Sequence, residues 1–168
     1  MDEIKFTIDG IQVKTQKGDT ILQAATKNGI YIPHLCYHPD LKPMGACRLC
    51  LVENEDGRLV TSCENLVKEG MRVSTTSKRV ENSRKMVARL LIANHESECL
   101  TCAQNNQCQL QEIASFFGIE NENITSLRHS LPEVPIDESN PFFTRDLKKC
   151  VLCGICVRTC RDRLGVSA

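Results

Sequence analysis

Three sets of metal-ligating side chains dominate this sequence of 168 residues. They are Cys36, Cys47, Cys50 and Cys63; then His95, Cys99, Cys102 and Cys108; then Cys150, Cys153, Cys156 and Cys160. Thiolate and imidazole are the ligands of zinc sites and of iron–sulfur clusters alike. The spacing within each set therefore has to decide which metal chemistry it supports.

The third set, Cys150-x2-Cys153-x2-Cys156-x3-Cys160, has the bacterial ferredoxin spacing for a [4Fe–4S] cluster. In two-cluster ferredoxins the fourth cysteine of such a run ligates the other cluster. No second run follows here, and Arg161 stands where the run ordinarily has proline. The first three cysteines therefore lack a fourth ligand unless Cys160 folds back. The simplest expectation is that the chain is a fragment, and completeness of this cluster stays open.

The first set, Cys36-x10-Cys47-x2-Cys50-x12-Cys63, has the one-two-one grouping of a [2Fe–2S] site. Its first gap is longer than the four residues of plant-type ferredoxins. Four thiolates would also suit zinc, but zinc sites usually present two CxxC pairs, and only Cys47 and Cys50 form one here. We interpret this set as a [2Fe–2S] site.

The central set, His95-x3-Cys99-x2-Cys102-x5-Cys108, is ambiguous alone, because zinc knuckles also use three cysteines and one histidine. Its place between two iron–sulfur sets favours a cluster. An imidazole in place of a thiolate removes a negative charge, so we expect a raised reduction potential, as in Rieske centres. The role of the histidine would be to shape the potential, and not to bind substrate.

The segment around the first set predicts an α+β roll. The predicted elements are a hairpin at 4–15 with an Asp9-Gly10 turn, a helix with a Thr20/Gln23 capping box, a second hairpin at 51–63 and a strand at 70–73. The helix should stop at Asn28-Gly29.

Two further helices are predicted around the central set. One starts after the cap residues 74–77, ends near Asn94 and has an apolar stripe of Val80, Val87, Leu90 and Leu91. We interpret its basic residues as a solvated face: Lys78, Arg79, Arg84, Lys85 and Arg89. The other helix runs from Leu110 to Phe117 and stops at Gly118. The polar, proline-containing residues up to 141 form a connector.

Composition excludes several functions. Lys and Arg total 21 and Asp and Glu total 21, so charge does not favour a nucleic-acid partner. Eleven cysteines would leave one unpaired in a disulfide framework. The sequence starts without an apolar signal segment and has no apolar run that could cross a bilayer. We therefore expect a cytoplasmic protein whose thiolates bind metal.

No nucleotide or nucleophile motif is present. The sequence has no GxGxxG or P-loop stretch, so NAD and flavin would have to be bound by another chain. Once the cysteines are assigned to clusters, the sequence contains no Ser/His/Asp or Cys/His pattern for nucleophilic catalysis, so no catalytic site is expected. We interpret His34 and His38 as packing or hydrogen-bonding groups beside Cys36, and His129 as a connector residue.

The three spacings and the segment Ile32-Pro33-His34-Leu35-Cys36-Tyr37-His38-Pro39 resemble a known family. The chain is similar to the N-terminal part of the large iron–sulfur subunit of respiratory complex I. It equally resembles the iron–sulfur diaphorase subunit of NAD-linked hydrogenases and the N-terminal region of iron-only hydrogenases and related formate dehydrogenases. The resemblance covers essentially the whole chain.

The resemblance implies a β-grasp [2Fe–2S] domain at 1–76, a helical [4Fe–4S] domain at 77–120, and, after the connector at 121–141, the first half of a ferredoxin-type domain at 142–168. It makes the first set [2Fe–2S] ligands and the central set [4Fe–4S] ligands. Cys150, Cys153 and Cys156 would hold a further [4Fe–4S] cluster, and Cys160 would ligate another whose remaining ligands are missing here.

The expected function is that of an electron-transfer subunit. It would relay single electrons between a flavin-bearing, NADH-oxidising subunit and a hydrogenase, formate dehydrogenase or quinone-reducing module, within a hetero-oligomeric complex, and the direction of electron flow stays open. The alternative is the N-terminal relay of a longer hydrogenase or formate dehydrogenase chain. A zinc-dependent interaction module is a third hypothesis, which negligible labile sulfide would favour.

Overall fold

The computed structural model describes residues 3–95, 98–120, 124–129 and 134–166. Two compact units make up the chain: Met1–Lys85 with Cys153–Ala168, and Met86–Leu152. Within the described residues, no helix combines the length and the apolar character needed to cross a membrane. The domain boundaries given above stay predictions.

A five-stranded mixed sheet forms the body of the first unit. Its strands are β1 (Glu3–Ile8), β2 (Ile11–Gln16), β3 (Leu51–Asn54), β4 (Leu59–Thr61) and β5 (Arg72–Ser74), in the spatial order β2-β1-β5-β3-β4. Strands β1 and β5 pair in parallel, and the other neighbours are antiparallel. Both predicted hairpins and the α+β class are confirmed.

Helix α1 (Ile21–Lys27) begins at the predicted capping box. The Thr20 hydroxyl accepts the Gln23 N–H at 3.2 Å, and the Gln23 side chain accepts the Thr20 N–H at 2.9 Å. Residues of α1 and the sheet enclose one apolar core, to which two cysteines of the first set also belong. Its members include Phe6, Ile8, Ile21, Leu22, Cys50, Val52 and Cys63. Two ligand candidates of the first set are thus part of the apolar core of the first unit.

Helix α2 (Lys78–Ala93) ends close to the predicted position. The Ser77 hydroxyl accepts the Val80 N–H at 3.3 Å at its start. The buried line of this helix is Val80, Arg84 and Ala88, at helical spacing, whereas Leu90 is exposed. The predicted stripe was therefore wrong in part, and the solvated-face interpretation was wrong for Arg84, which is only 3% exposed.

The second unit is built from short elements. Cys99–Thr101 forms a 3-10 turn, and helix α3 (Gln109–Phe116) buries Leu110 and Ile113, as its apolar spacing predicts. The predicted connector at 121–141 lies partly outside the described residues. Asp137, in its described part, and Arg145, which follows the connector, exchange backbone hydrogen bonds of 2.9 Å, and their side chains form an ion pair.

The segment 153–166 belongs to the first unit. It contains helix α4 (Ile155–Thr159), which continues into a π-helical turn, Cys160–Leu164. Arg158 on α4 is almost fully buried. The third cysteine set therefore begins in one unit and ends in the other.

Candidate metal centres

The first set lies at one end of the sheet. Cys36 is in the loop after α1, Cys47 and Cys50 immediately precede β3, and Cys63 follows β4 by two residues. Cys36, Cys50 and Cys63 are each 3% exposed or less. All eleven cysteines of the chain are free thiols. The first set therefore consists of three buried thiols and the half-buried thiol of Cys47.

The four thiols of the first set are arranged as two pairs. A hydrogen bond from Cys47 lowers the pKa of Cys36 to about 5, although burial opposes this, and the same bond raises the pKa of Cys47. A hydrogen bond from Cys63 likewise lowers the pKa of Cys50 to about 6, and the pKa of Cys63 is raised. The negative charge on Cys36 disfavours ionisation of Cys47, Cys50 and Cys63, although the pKa of Cys50 is lowered overall. All four thiols therefore lie within electrostatic reach of one another.

Backbone N–H groups line this thiol cluster. Those of Ala46 and Cys47 donate to the Cys36 sulfur, that of Leu49 donates to Cys47, and that of Gly45 donates to Cys63. Donors aimed at sulfur stabilise thiolate charge. This donor set fits a cluster with thiolate ligands.

Each cysteine set also contains a non-glycine residue in the left-handed conformation. These residues are Arg48 (φ 57°), Asn106 (φ 63°) and Leu152 (φ 56°), and each lies between two cysteines of its set. Left-handed turns direct successive backbone N–H groups toward one side, which makes anion-binding concavities at many iron–sulfur sites. Of these three residues, only Asn106 is of a type that often adopts the left-handed conformation, so only its conformation could have been predicted from the sequence.

The central set lies within the second unit. His95 follows α2, Cys99 starts the 3-10 turn, and Cys108 is the N-cap residue of α3. All four side chains of the set are half-buried. His95 Nε2 lies 3.3 Å from the carbonyl oxygen of Lys149. Such a contact fixes the orientation of a ligating imidazole in metal sites.

The third set is divided between the units. Cys150, in the second unit, is exposed, and its sulfur accepts the Leu152 N–H at 3.4 Å. Cys156 lies on α4, and Cys160 starts the π-helical turn after it. Over residues 3–95, 98–120, 124–129 and 134–166, no three His, Cys, Asp or Glu side chains group closely enough to hold a single metal ion.

The two histidines beside Cys36 make local contacts. His34 Nδ1 lies 2.9 Å from the Ile32 carbonyl oxygen, and its ring meets Tyr37 edge to face at 5.6 Å. His38 Nδ1 accepts the Asp40 N–H at 3.2 Å. These contacts agree with a packing and hydrogen-bonding role.

Two buried arginines beside the first set were missed from the sequence. Arg158 donates to the carbonyls of Cys36 and Lys42, and Arg84 donates to that of Leu51. In the described part of the chain, Arg84 Nη2 and Arg158 Nε are buried without a hydrogen-bond acceptor. The helical spacing of Val80, Arg84 and Ala88 could have revealed the first arginine, but no local signal points to the second.

Comparison with known families agrees with the assignment of the cysteine sets to iron–sulfur clusters. Residues 1–78 match the family described as "2Fe-2S iron-sulfur cluster binding domain". Residues 84–123 match the family described as "NADH-ubiquinone oxidoreductase-G iron-sulfur binding region". The fold and its cysteines thus define an iron–sulfur protein with a [2Fe–2S] and a [4Fe–4S] domain.

Individual relatives extend the match over nearly the whole chain. A chain in the crystal structure of NAD+-reducing [NiFe]-hydrogenase in the H2-reduced state is 34% identical with a TM-score of 0.85, over 95% of this chain and 67% of that one. An NADH-quinone oxidoreductase subunit of Rickettsia bellii is 35% identical over 97% of this chain and 24% of its own length. The putative formate dehydrogenase YrhE of Bacillus subtilis is 32% identical over 95% of this chain and 16% of its own length.

The chain therefore belongs to the family of iron–sulfur electron-transfer regions shared by NADH-quinone oxidoreductase and NAD+-reducing [NiFe]-hydrogenase. The resemblance stated from the sequence is confirmed. The chain spans a quarter or less of the length of these curated relatives. The individual ligands of each cluster stay predictions.

Proposed function

We propose that the first set holds a [2Fe–2S] cluster, with one thiol pair on each iron. Cys36 and Cys47 would take one iron, and Cys50 and Cys63 the other. The observation that carries this assignment is the hydrogen-bonded pairing of four thiols, three of them buried, beside backbone N–H donors. A two-iron cluster needs two thiolates on each iron, as this pairing supplies.

The central set would hold a [4Fe–4S] cluster through His95, Cys99, Cys102 and Cys108. The match of residues 84–123 to an iron–sulfur binding region includes all four. Because Nε2 of His95 faces the Lys149 carbonyl, Nε2 would carry the proton and Nδ1 would be the ligating nitrogen.

The third set would hold a further [4Fe–4S] cluster through Cys150, Cys153 and Cys156, with Cys160 serving another. The ferredoxin spacing supports this assignment. The Leu152 N–H that points to the Cys150 sulfur is of the kind that stabilises a ligating thiolate.

The function that follows is a relay of single electrons. Bound clusters would supply one-electron carriers, and the chain would fix their spacing and adjust their potentials by hydrogen bonds, ligand charge and burial. The relatives' names include NADH-quinone oxidoreductase and NAD+-reducing hydrogenase. We therefore place the chain at the cytoplasmic side of a complex, between a flavin-bearing, NADH-oxidising subunit and a catalytic subunit such as a hydrogenase or quinone-reducing module.

A second assignment is favoured by one comparison. The match to the putative formate dehydrogenase YrhE covers only 16% of that protein. The same relay can therefore form the N-terminal part of a much longer chain. In that case electrons would pass to a catalytic domain of the same polypeptide. Mass measurement of the native protein distinguishes the two assignments.

The test is iron and acid-labile sulfide per chain in protein purified without oxygen. About six of each correspond to the first two clusters, and about ten of each to three. Cys47→Ser should lose the electron paramagnetic resonance (EPR) signal of the two-iron cluster, and Cys102→Ser should lose that of the four-iron cluster. Negligible sulfide with bound zinc would refute the proposal.

A further inference from the structure

Two arginines are buried beside the first cysteine set. Arg84 is 3% exposed and Arg158 is 2% exposed. No other charged side chain among the residues that the structure describes is as deeply buried. Arginine is almost never fully buried unless an opposite charge or a full set of acceptors compensates it. Their burial therefore needs an explanation.

Arg158 connects helix α4 to the loop that carries Cys36. Its Nη1 donates to the Lys42 carbonyl at 2.9 Å, and its Nη2 donates to the carbonyl of Cys36 itself. The planar guanidinium presents its donors in a fixed fork. One side chain thus fixes two points of a loop that has little secondary structure of its own.

Arg84 makes the corresponding contacts at the other thiol pair. Its Nε donates to the Leu51 carbonyl, one residue after Cys50, at 2.7 Å, and its Nη1 donates to the Thr75 carbonyl at 3.1 Å. Burial lowers the pKa of Arg84 to about 10, which leaves the side chain charged at pH 7. Each thiol pair therefore has one cationic group beside it.

Backbone carbonyls do not neutralise these two charges. All four hydrogen bonds described for the two guanidinium groups go to neutral carbonyl oxygens, and one donor of each group lacks an acceptor within the described residues. A buried charge without sufficient counter-charge is strongly destabilising. Asp9 lies within electrostatic reach of Arg84, and Asp162 within reach of Arg158. A [2Fe–2S] cluster with four thiolates is anionic and gains one more negative charge on reduction, so it would add a larger counter-charge beside both groups.

We propose that Arg158 and Arg84 are positioning residues of the [2Fe–2S] centre, which fix its two ligand loops and favour its reduced state. This inference rests on the cluster assignment proposed above. Positive charge near a cluster stabilises the state with the extra electron, so the two arginines hold the midpoint potential above that of the same cluster without them. Reduction adds one electron from an external donor, and no covalent bond forms or breaks.

The test is an EPR-monitored redox titration of the two-iron signal in the full chain, with dithionite as reductant. Arg158→Gln removes the charge, and Arg158→Lys keeps the charge but loses the fork. Arg58→Gln is the control, because Arg58 is an exposed arginine at the β3–β4 turn of the same unit. The release of iron to a chelator is measured on each variant as a second readout.

Arg158→Gln should shift the midpoint to more negative potential. The expected size is about a tenfold change in the oxidised-to-reduced ratio at fixed potential, or about 59 mV for one electron. Arg158→Lys should keep a potential near that of the unmodified chain but release iron several times faster. Arg58→Gln should change neither quantity.

The failure of this inference differs from the failure of the cluster assignment. An unmodified chain without a two-iron signal would overturn both. A normal signal with unchanged potentials in Arg158→Gln would overturn the inference alone. If Arg158→Gln retains no cluster, Arg158→Lys and Arg84→Lys decide: potentials and release rates equal to those of the unmodified chain would overturn the positioning role.

Discussion

The carboxylate of Asp9 accepts the backbone N–H of Thr75 at 2.7 Å. Asp9 lies in the turn between β1 and β2, and Thr75 precedes α2. The hydroxyls of Ser74 and Thr76 donate to the same carboxylate. This one side chain therefore connects the first hairpin of the sheet to the segment that starts α2, 66 residues later in the chain.

The first prediction concerns the pH dependence that this contact creates. Burial raises the pKa of Asp9, but the hydrogen bonds from Thr75, Ser74 and Thr76 outweigh it, so the net pKa is lowered below 3.8. A carboxylate whose pKa is lower in the folded state than in the unfolded state stabilises the fold. This stabilisation is fully present above the unfolded-state pKa and is lost as the pH falls through the folded-state pKa. The contribution should therefore be constant between pH 7 and pH 5 and disappear only below about pH 4.

Asp9→Asn should lower the free energy of unfolding by about 1 kcal/mol, because this part-exposed site is screened by solvent. Urea unfolding followed by cluster absorption at pH 7 and pH 5 measures the difference, which should be equal at both. Glu55→Gln, at an exposed turn residue, serves as the control. A loss at pH 7 that vanishes at pH 5 would contradict this account.

A second prediction concerns Gly45, which has a φ of +56°. A Cβ on this residue would lie 1.9 Å from a carboxylate oxygen of Glu64, which itself accepts the Thr61 hydroxyl at 2.7 Å. Glu64 is exposed, and its carboxylate can move aside by giving up this hydrogen bond. Gly45→Ala should therefore cost about 1 kcal/mol more than the roughly 1–2 kcal/mol of the left-handed conformation alone.

Gly57→Ala is the matched control for Gly45. Gly57 has a φ of +72°, but its added Cβ would meet only a Glu53 oxygen at 3.9 Å, an ordinary contact. The two variants share the backbone strain and differ in the steric clash. Urea midpoints should fall further for Gly45→Ala, and equal midpoints would refute the clash.

A third prediction isolates backbone strain at Arg48. This residue is exposed and left-handed, between Cys47 and Leu49. Arg48→Asn and Arg48→Val remove the same charge, but asparagine tolerates the left-handed region and a β-branched residue does not. Arg48→Val should be less stable than Arg48→Asn by about 1–2 kcal/mol, measured by the urea midpoint of cluster bleaching. Equal midpoints would show that the loop relaxes to another conformation.

A fourth prediction concerns the charge that His95 contributes to the central set. His95→Cys should retain a four-iron cluster but lower its midpoint potential by on the order of 100 mV, because a thiolate replaces a neutral imidazole. The same change at His129, an exposed connector residue, should leave the potential unchanged. EPR-monitored titration measures both variants, and an unchanged potential in His95→Cys would exclude His95 as a ligand.

The local elements of the fold could be predicted from the sequence because their signals are local. The Asp9-Gly10 turn and the Thr20/Gln23 capping box each depend on residues a few positions apart, and both are present. The insertion of β5 between β1 and β3 could not be predicted, since strand patterns give the faces of a strand but not its neighbours.

The features of the site that were missed are long-range or contradict residue-type rules. Arg84 was counted as polar, so a binary pattern placed it on the solvent side, whereas its guanidinium donates to buried carbonyls. Arg48 and Leu152 adopt a conformation for which their residue types give no signal. The cysteine spacings were informative because they are themselves local.

The contact between Arg158 and the Cys36 carbonyl spans 122 residues of sequence. During synthesis at about 5–20 residues per second, roughly 6–25 s pass between the appearance of Cys36 and that of Arg158. Until Arg84 is translated the first set lacks both of its buried cations, and for the rest of this interval it still lacks Arg158. The cysteine set that is translated first therefore obtains both of its neighbouring positive charges only after Arg158 has been translated.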